Sequence, residues 1–199
     1  MKRNKNIILG IFICVVEYLS IGVSYSLFSL LFANNILHIH NHIVILGYLL
    51  SMNALGQFIF SFFWAYASDY YGRKNILYYT IIGSCVANLL TAIALIFHSL
   101  ILLFVSRFLV GCFTANLAII QSSITDYKQE NNKKSAILFN YLEIGIGSGL
   151  LLGSILGSWF VSNSYSSILN FSFPFIAISI LYLNLIFCVF CAFLRPYQP

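Results

Sequence analysis

The chain has 199 residues, of which 60% are hydrophobic and only 8% are charged. A water-soluble domain carries roughly 25% charged residues, so this composition excludes a soluble globule and predicts a protein embedded in a membrane. Basic residues outnumber acidic residues by ten to five.

Six apolar segments follow one another along the chain, and each has the length of about 20 residues that a membrane-spanning helix needs. The segments are continuous apolar runs without alternation, which excludes a transmembrane β-barrel. The sequence therefore predicts an all-α membrane protein forming a single six-helix domain over 1–199. The predicted helices occupy 7–32, 43–67, 75–97, 100–124, 135–161 and 169–194.

The basic residues orient these helices. The three loops on one side, at 33–42, 98–99 and 162–168, contain no Lys or Arg. Cytoplasmic segments are enriched in basic residues, so both termini are predicted to be cytoplasmic. The nine residues that share the cytoplasmic side are Lys2, Arg3, Lys5, Arg73, Lys74, Lys128, Lys133, Lys134 and Arg195.

Three ionisable residues lie inside predicted spans. At 1.5 Å per residue, Glu17 and Glu143 lie about 15 and 12 Å from the cytoplasmic side, and Arg107 lies about 10 Å from the opposite side. A charge at mid-bilayer costs about 2.5–3.5 kcal/mol on insertion scales, so such groups usually face a cavity or a partner. Arginine keeps its proton, so a nearby carboxyl that exchanges one is a candidate for proton coupling. The alternatives are a static ion pair and a neutral, hydrogen-bonded glutamic acid.

Residues 65–74, with the sequence AYASDYYGRK, resemble a motif of the major facilitator superfamily, G-x-x-x-D-x-x-G-R-[RK], which joins helices two and three. Ala65 replaces the leading glycine. The resemblance implies that this segment, with Asp126 at the end of helix four, forms a cytoplasmic gate. The matching residues are Asp69, Gly72, Arg73 and Lys74.

Two further segments resemble motifs of the same family. In helix four, Arg107, Gly111 and Ala115 follow one another at four-residue steps. In helix five, four glycines recur with the same spacing and resemble an antiporter motif, in which Ser154 replaces the usual proline. Small residues at this spacing let helix backbones approach closely, so both segments are predicted to be packing surfaces. The helix-five glycines are Gly145, Gly149, Gly153 and Gly157.

Helix one, with Glu17 in the segment EYLSIG, resembles the drug:proton antiporters, which include tetracycline exporters. The resemblance implies that Glu17 is the protonation site and Arg107 its electrostatic partner. Because of its depth in helix five, Glu143 is a further candidate for proton coupling, and the alternative is a residue of the cavity wall. Asn53 and Gln57 lie one turn apart on helix two. They are predicted either to line the transport cavity or to form hydrogen bonds between helices.

Members of this family usually have two six-helix halves with the substrate site between them, and the resemblance covers one half. The resemblance implies that the chain is the N-terminal half of a secondary transporter. This transporter would export a small molecule in exchange for protons. The expected location is the plasma membrane, most simply a bacterial inner membrane. The second half is absent from the chain, so a separate second half or a homodimer is the expected partner. The alternative is a truncated or split-gene remnant without transport. No enzyme activity, cofactor, metal site or nucleic-acid partner is predicted.

Overall fold

The computed structural model describes residues 2–33, 41–114, 116–128, 132–162 and 169–194, and every regular element in these ranges is an α-helix. The helices are α1 (Lys2–Ala33), α2 (His42–Tyr71), α3 (Arg73–Ile96), α4 (Leu100–Phe113), α5 (Asn116–Lys128), α6 (Asn132–Ser162) and α7 (Leu169–Leu194).

Membrane-length helices account for nearly all of this structure. Five segments are long and apolar enough to cross a bilayer, one of which, Leu100–Thr125, combines α4 and α5. The sixth, α7, has 26 residues and is about 39 Å long at 1.5 Å per residue, which exceeds a hydrocarbon core of about 30 Å. The predicted six-helix, all-α architecture is confirmed.

The fourth crossing, Leu100–Thr125, covers the predicted span 100–124. Within it α4 ends at Phe113, and Thr114 leaves the helical conformation with φ −85° and ψ 40°. Neither proline nor a loss of hydropathy marks this position in the sequence. Side chains of α2 donate hydrogen bonds to carbonyls at this point, as described below.

The helices pack mainly in pairs, with α1 against α6, α3 against α7 and α2 against α4. One apolar core joins α1, α2, α3, α4 and α7, where Phe28 and Phe175 stack with ring centroids 5.5 Å apart. A smaller cluster joins α1, α5 and α6 through Cys14, Ile120 and Leu142. The short fifth helix is therefore held against α1 by its own set of apolar contacts.

Candidate functional site

A cluster of buried polar side chains lies between α1, α3, α4, α5 and α7. We call it the polar core. In an otherwise apolar bundle each such group must find a partner, because burying an unpaired polar group is costly. Its members are Glu17, Ser20, Ser24, Thr80, Ser84, Asn88, Thr91, Arg107, Asn116 and Tyr182.

Glu17 lies at the centre of α1 and is only 1% exposed. Neither of its carboxylate oxygens forms a hydrogen bond with a described residue. The side-chain amide and the backbone N–H of Asn116 both face the carboxylate, but their geometry falls short of a formed bond. Glu17 is thus a buried carboxyl with donors close by and no hydrogen bond formed within the described part of the chain.

Arg107 on α4 is 2% exposed and is held from three sides. Its guanidinium donates to Ser24 Oγ at 2.9 Å and to Thr91 Oγ1. It also lies 5.1 Å from the ring centroids of both Phe28 and Phe175, where each ring face attracts a cation. Both hydroxyls donate in turn to carbonyls of their own helices, which leaves their lone pairs to accept from Arg107.

The predicted pairing of Arg107 with Glu17 is not a direct contact in this structure. Arg107 meets α1 at Ser24, which lies seven residues beyond Glu17, or about 10 Å along the helix axis. The one charge pair recorded among the described residues joins Arg73 to Asp69. Glu17 and Arg107 thus both belong to the polar core, but two helical turns separate them.

The space between Glu17 and Arg107 is bridged by polar groups that sequence analysis missed. Ser20 Oγ donates to Asn88 Oδ1 at 3.3 Å, and the Asn88 amide donates to the Ser84 carbonyl oxygen at 2.9 Å. Along α3, the polar residues Thr80, Ser84, Asn88 and Thr91 recur every three or four residues, which places them on one side of the helix. That spacing is a signal that the sequence did contain.

Tyr182 on α7 completes the polar core and was also missed. It is fully buried, and its hydroxyl forms no hydrogen bond with the described residues. The hydroxyl interacts electrostatically with both Glu17 and Arg107. A tyrosine in an apolar sequence context gives no sign of such a position, since tyrosine is equally common at membrane interfaces.

The interruption of the fourth crossing is stabilised from α2. The Trp64 indole donates to the Cys112 carbonyl oxygen at 2.7 Å, and the Gln57 amide donates to that of Thr114 at 3.2 Å. Carbonyls at a helix end lack partners within their own helix, and neighbouring side chains can replace those partners inside a membrane. Gln57 therefore forms a hydrogen bond between helices, which is one of the two roles predicted for it. The break places Asn116 opposite Glu17.

Asn53, the other predicted cavity residue, is buried at a close approach of α2 to α4. A Cβ on Gly111 would collide with the Asn53 carbonyl oxygen, so glycine permits this crossing. Ala115, the last residue of the same motif, lies outside the described residues.

The helix-five glycines, now on α6, face α1. A Cβ on Gly149 would lie 2.7 Å from the Val15 carbonyl oxygen, and one on Gly153 would collide with that of Leu19. Gly145 and Gly157 continue the same contact toward the two ends of the helix. The spacing of these glycines thus lets the backbones of α1 and α6 lie in close contact over about three turns.

Glu143 lies apart from the polar core, on the exposed side of α6. Along this side of the helix, exposed positions follow at three- or four-residue steps. They include Asn140 and Glu143 among large apolar side chains such as Ile144, Leu151 and Ile155. A carboxyl within a span normally faces a cavity or a partner, so the surface around Asn140 and Glu143 is a second candidate surface, separate from the one around Glu17.

The candidate gate lies where α2 passes directly into α3. Gly72 forms the turn with φ 87°, a conformation that favours glycine. Arg73 Nη2 lies 3.9 Å from Asp69 Oδ1, one turn earlier, and Lys74 is exposed. Asp126 belongs to α5, but its side chain lies outside the described residues.

Together these features define a multi-pass helical membrane protein whose core is polar around one acid and one base. The chain belongs to the Major Facilitator Superfamily, whose sequence model matches residues 10–199. This is a family of transporters and not of enzymes.

The similar curated proteins include several tetracycline resistance proteins. The class H protein of Pasteurella multocida is 31% identical over 182 residues, which cover 89% of this chain and 42% of that protein. The class G protein of Vibrio anguillarum is 31% identical over 149 residues, covering 75% of this chain and 35% of that protein. The class B protein of Escherichia coli is 32% identical over 113 residues, which cover 57% of this chain and 27% of that protein. The chain thus spans less than half the length of the curated relatives it matches.

Proposed function

We propose that this chain is the N-terminal half of a proton-coupled exporter of a small molecule, working in a bacterial plasma membrane with a second six-helix unit. In this proposal Glu17 binds and releases the proton. The observation that carries it is a carboxyl that is 1% exposed, lies at mid-membrane and has no fixed hydrogen-bond partner among the described residues. A structural carboxyl buried so deeply would be expected to have its acceptors satisfied.

Arg107 has a different role in this proposal from the one implied by family resemblance. Because it is anchored by Ser24, Thr91 and two phenyl rings, it supplies a fixed positive field. Proton exchange at Glu17 then takes place within that field without an alternating ion pair.

The need for a second unit is supported by the helices that the bundle leaves uncovered. Only 17% of the α2 span and 22% of the α6 span are buried, against 56% for α1 and 61% for α3. On α6 the uncovered side carries Glu143 and, one turn earlier, Asn140, and a carboxyl within a span is poorly suited to lipid. We infer that this side faces an aqueous cavity shared with the second unit, either a separately encoded half or another copy of the chain.

The substrate class follows from the relatives alone. The three bacterial proteins named above are tetracycline resistance proteins, so the proposed substrate is a drug-like small molecule.

The deciding experiment measures drug accumulation in vesicles that contain the chain alone, or the chain with any six-helix unit encoded beside it. Wild type should lower accumulation when a proton gradient is imposed, and Glu17→Gln should abolish that effect while leaving the amount of protein in the membrane unchanged. Glu143→Gln makes the same change at the other carboxyl within a span, and comparing the two variants distinguishes the two candidate proton sites. A chain that transports in neither setting is the non-transporting remnant. If Glu17→Gln still transports when a proton gradient is imposed, Glu143 becomes the candidate proton site.

A further inference from the structure

Helix register sets Glu17 opposite Asn116. Cys14 on α1 and Ile120 on α5 belong to one buried apolar cluster, and the two helices run in opposite directions. Glu17 follows Cys14 by three residues, and Asn116 precedes Ile120 by four, so one turn farther along both helices these two side chains face each other. Both are at least 99% buried.

The Thr80 hydroxyl holds the other side of the Asn116 amide. This hydroxyl has two acceptors within hydrogen-bonding reach, the Leu77 carbonyl oxygen at 2.9 Å and Asn116 Oδ1. A hydroxyl has one proton, so it can donate to only one of them at a time. The Asn116 Nδ2 group has no partner among the described residues, and Glu17 is the acceptor that faces it.

We propose that the Asn116 side chain is a two-position hydrogen-bond switch that follows the protonation of Glu17, with Thr80 as its second contact. The proposal rests on the proposed function, because Glu17 must exchange a proton. Asn116 and Thr80 are positioning residues here, since neither gains or loses a proton itself.

Each protonation state then has its own continuous chain of hydrogen bonds from Glu17 to Thr80. With Glu17 ionised, Thr80 donates to Asn116 Oδ1, and Asn116 Nδ2 donates to the carboxylate. With Glu17 protonated, its O–H donates to Asn116 Oδ1 after the amide has turned over about its last torsion. Asn116 Nδ2 then donates to Thr80 Oγ1, and the Thr80 hydroxyl keeps its proton and donates to the Leu77 carbonyl oxygen. The proton on Glu17 comes from outside the cluster, and the remaining bonds only change direction. The oxygen and nitrogen ends of an amide are nearly equal in size, so the turn requires little repacking.

Few ionisable groups face Glu17 within the described part of the chain. Cys14 and Tyr18 lie on its own helix, and Tyr182 approaches from α7. On α6, Glu143 interacts with Tyr18. On α5 the facing group is Asn116, which does not titrate, so the amide is the polar neighbour free to respond to the charge of Glu17.

Infrared difference spectroscopy of the full chain in lipid vesicles, recorded between acidic and alkaline pH, tests this switch. The chain carries ¹³C at its asparagine side-chain carbonyls. Wild type should lose the carboxylic C=O band of Glu17 as pH rises, together with a shift of one labelled amide band. Glu17→Gln should abolish both signals, and Asn116→Leu should remove the labelled band and thereby assign it.

Variants of Thr80 distinguish the switch from an effect that needs only the closeness of Asn116 to Glu17. Thr80→Val keeps the shape of the side chain and should retain the Glu17 band while abolishing the amide shift, whereas Thr80→Ser should restore the shift. Thr125→Val, an exposed threonine on α5, should leave both signals unchanged. An amide shift that persists in Thr80→Val overturns the switch alone. A Glu17 band that does not change with pH in wild type overturns the switch and the proton site together.

Discussion

The Arg107 guanidinium donates to Ser24 Oγ at 2.9 Å, and this contact fixes it two turns away from the carboxyl on the same helix. A buried cation is thereby stabilised by two hydroxyls and two aromatic rings, without a carboxylate against it among the described residues. The consequence is a positive charge whose position does not depend on the state of Glu17.

Arg107→Lys should lower the free energy of unfolding by about 1–2 kcal/mol, since an ammonium cannot donate in a fixed fork and also lie flat against two rings. Unfolding of the chain in mixed micelles measures this. In a Ser24→Ala/Thr91→Val background the same substitution should cost less. An equal cost in both backgrounds would show that the hydroxyls do not hold the guanidinium.

Two glycines on α6 offer a matched pair. Gly149→Ala places a methyl group 2.7 Å from a backbone carbonyl of α1, whereas one at Gly147 would meet nothing within 4 Å. Overpacking costs about 1–3 kcal/mol, while alanine within a helix is favoured over glycine by about 0.5–1 kcal/mol. The first variant should therefore be destabilised and the second unchanged or stabilised in the same unfolding assay. Similar results for the two would contradict the close contact of α1 with α6.

Trp64→Phe should cost about 1–3 kcal/mol, because it keeps an aromatic ring but leaves the Cys112 carbonyl without its donor. Unfolding free energies of this variant and of wild type measure the effect. Equal values would mean that the break at Thr114 is maintained without this hydrogen bond from α2.

The candidate gate should affect transport more than stability. The Asp69 side chain is 73% exposed, and its pair with Arg73 spans 3.9 Å, so the pair itself contributes at most about 1 kcal/mol to folding. In an assembled carrier Asp69→Asn should abolish transport while membrane insertion and thermal stability are preserved. Wild-type transport rates in this variant would remove Asp69 from the gate.

Topology is tested with reporter fusions. Fusions near Asn41, His98 and Asn163 should be external, and those near Lys74, Lys133 and Gln198 should be cytoplasmic, because every loop rich in Lys or Arg is predicted to remain inside. A single reversed loop would contradict the orientation of the whole bundle.

Sequence reasoning found what depends on hydropathy and on residues that are rare in membranes. It located the six crossings, the ionisable residues Glu17 and Arg107, and the glycines of α6, because charges and regularly spaced glycines stand out in apolar segments. It did not find the partners of Arg107, since serine and threonine are common in membrane helices, and their role depends on which helix they face. It also missed the break at Thr114, which is set by donors from α2 lying 48 and 57 residues earlier in the chain.

The interruption at Thr114 divides one crossing between two neighbourhoods. The part before it, α4, packs on α2 and α3, whereas the part after it, α5, contacts α6 and α1 and, less extensively, α2 and α3. The first part carries Arg107, which meets α1 at Ser24, and the second carries Asn116, which faces Glu17 on the same helix. A single crossing thus supplies two polar groups to α1, two turns apart.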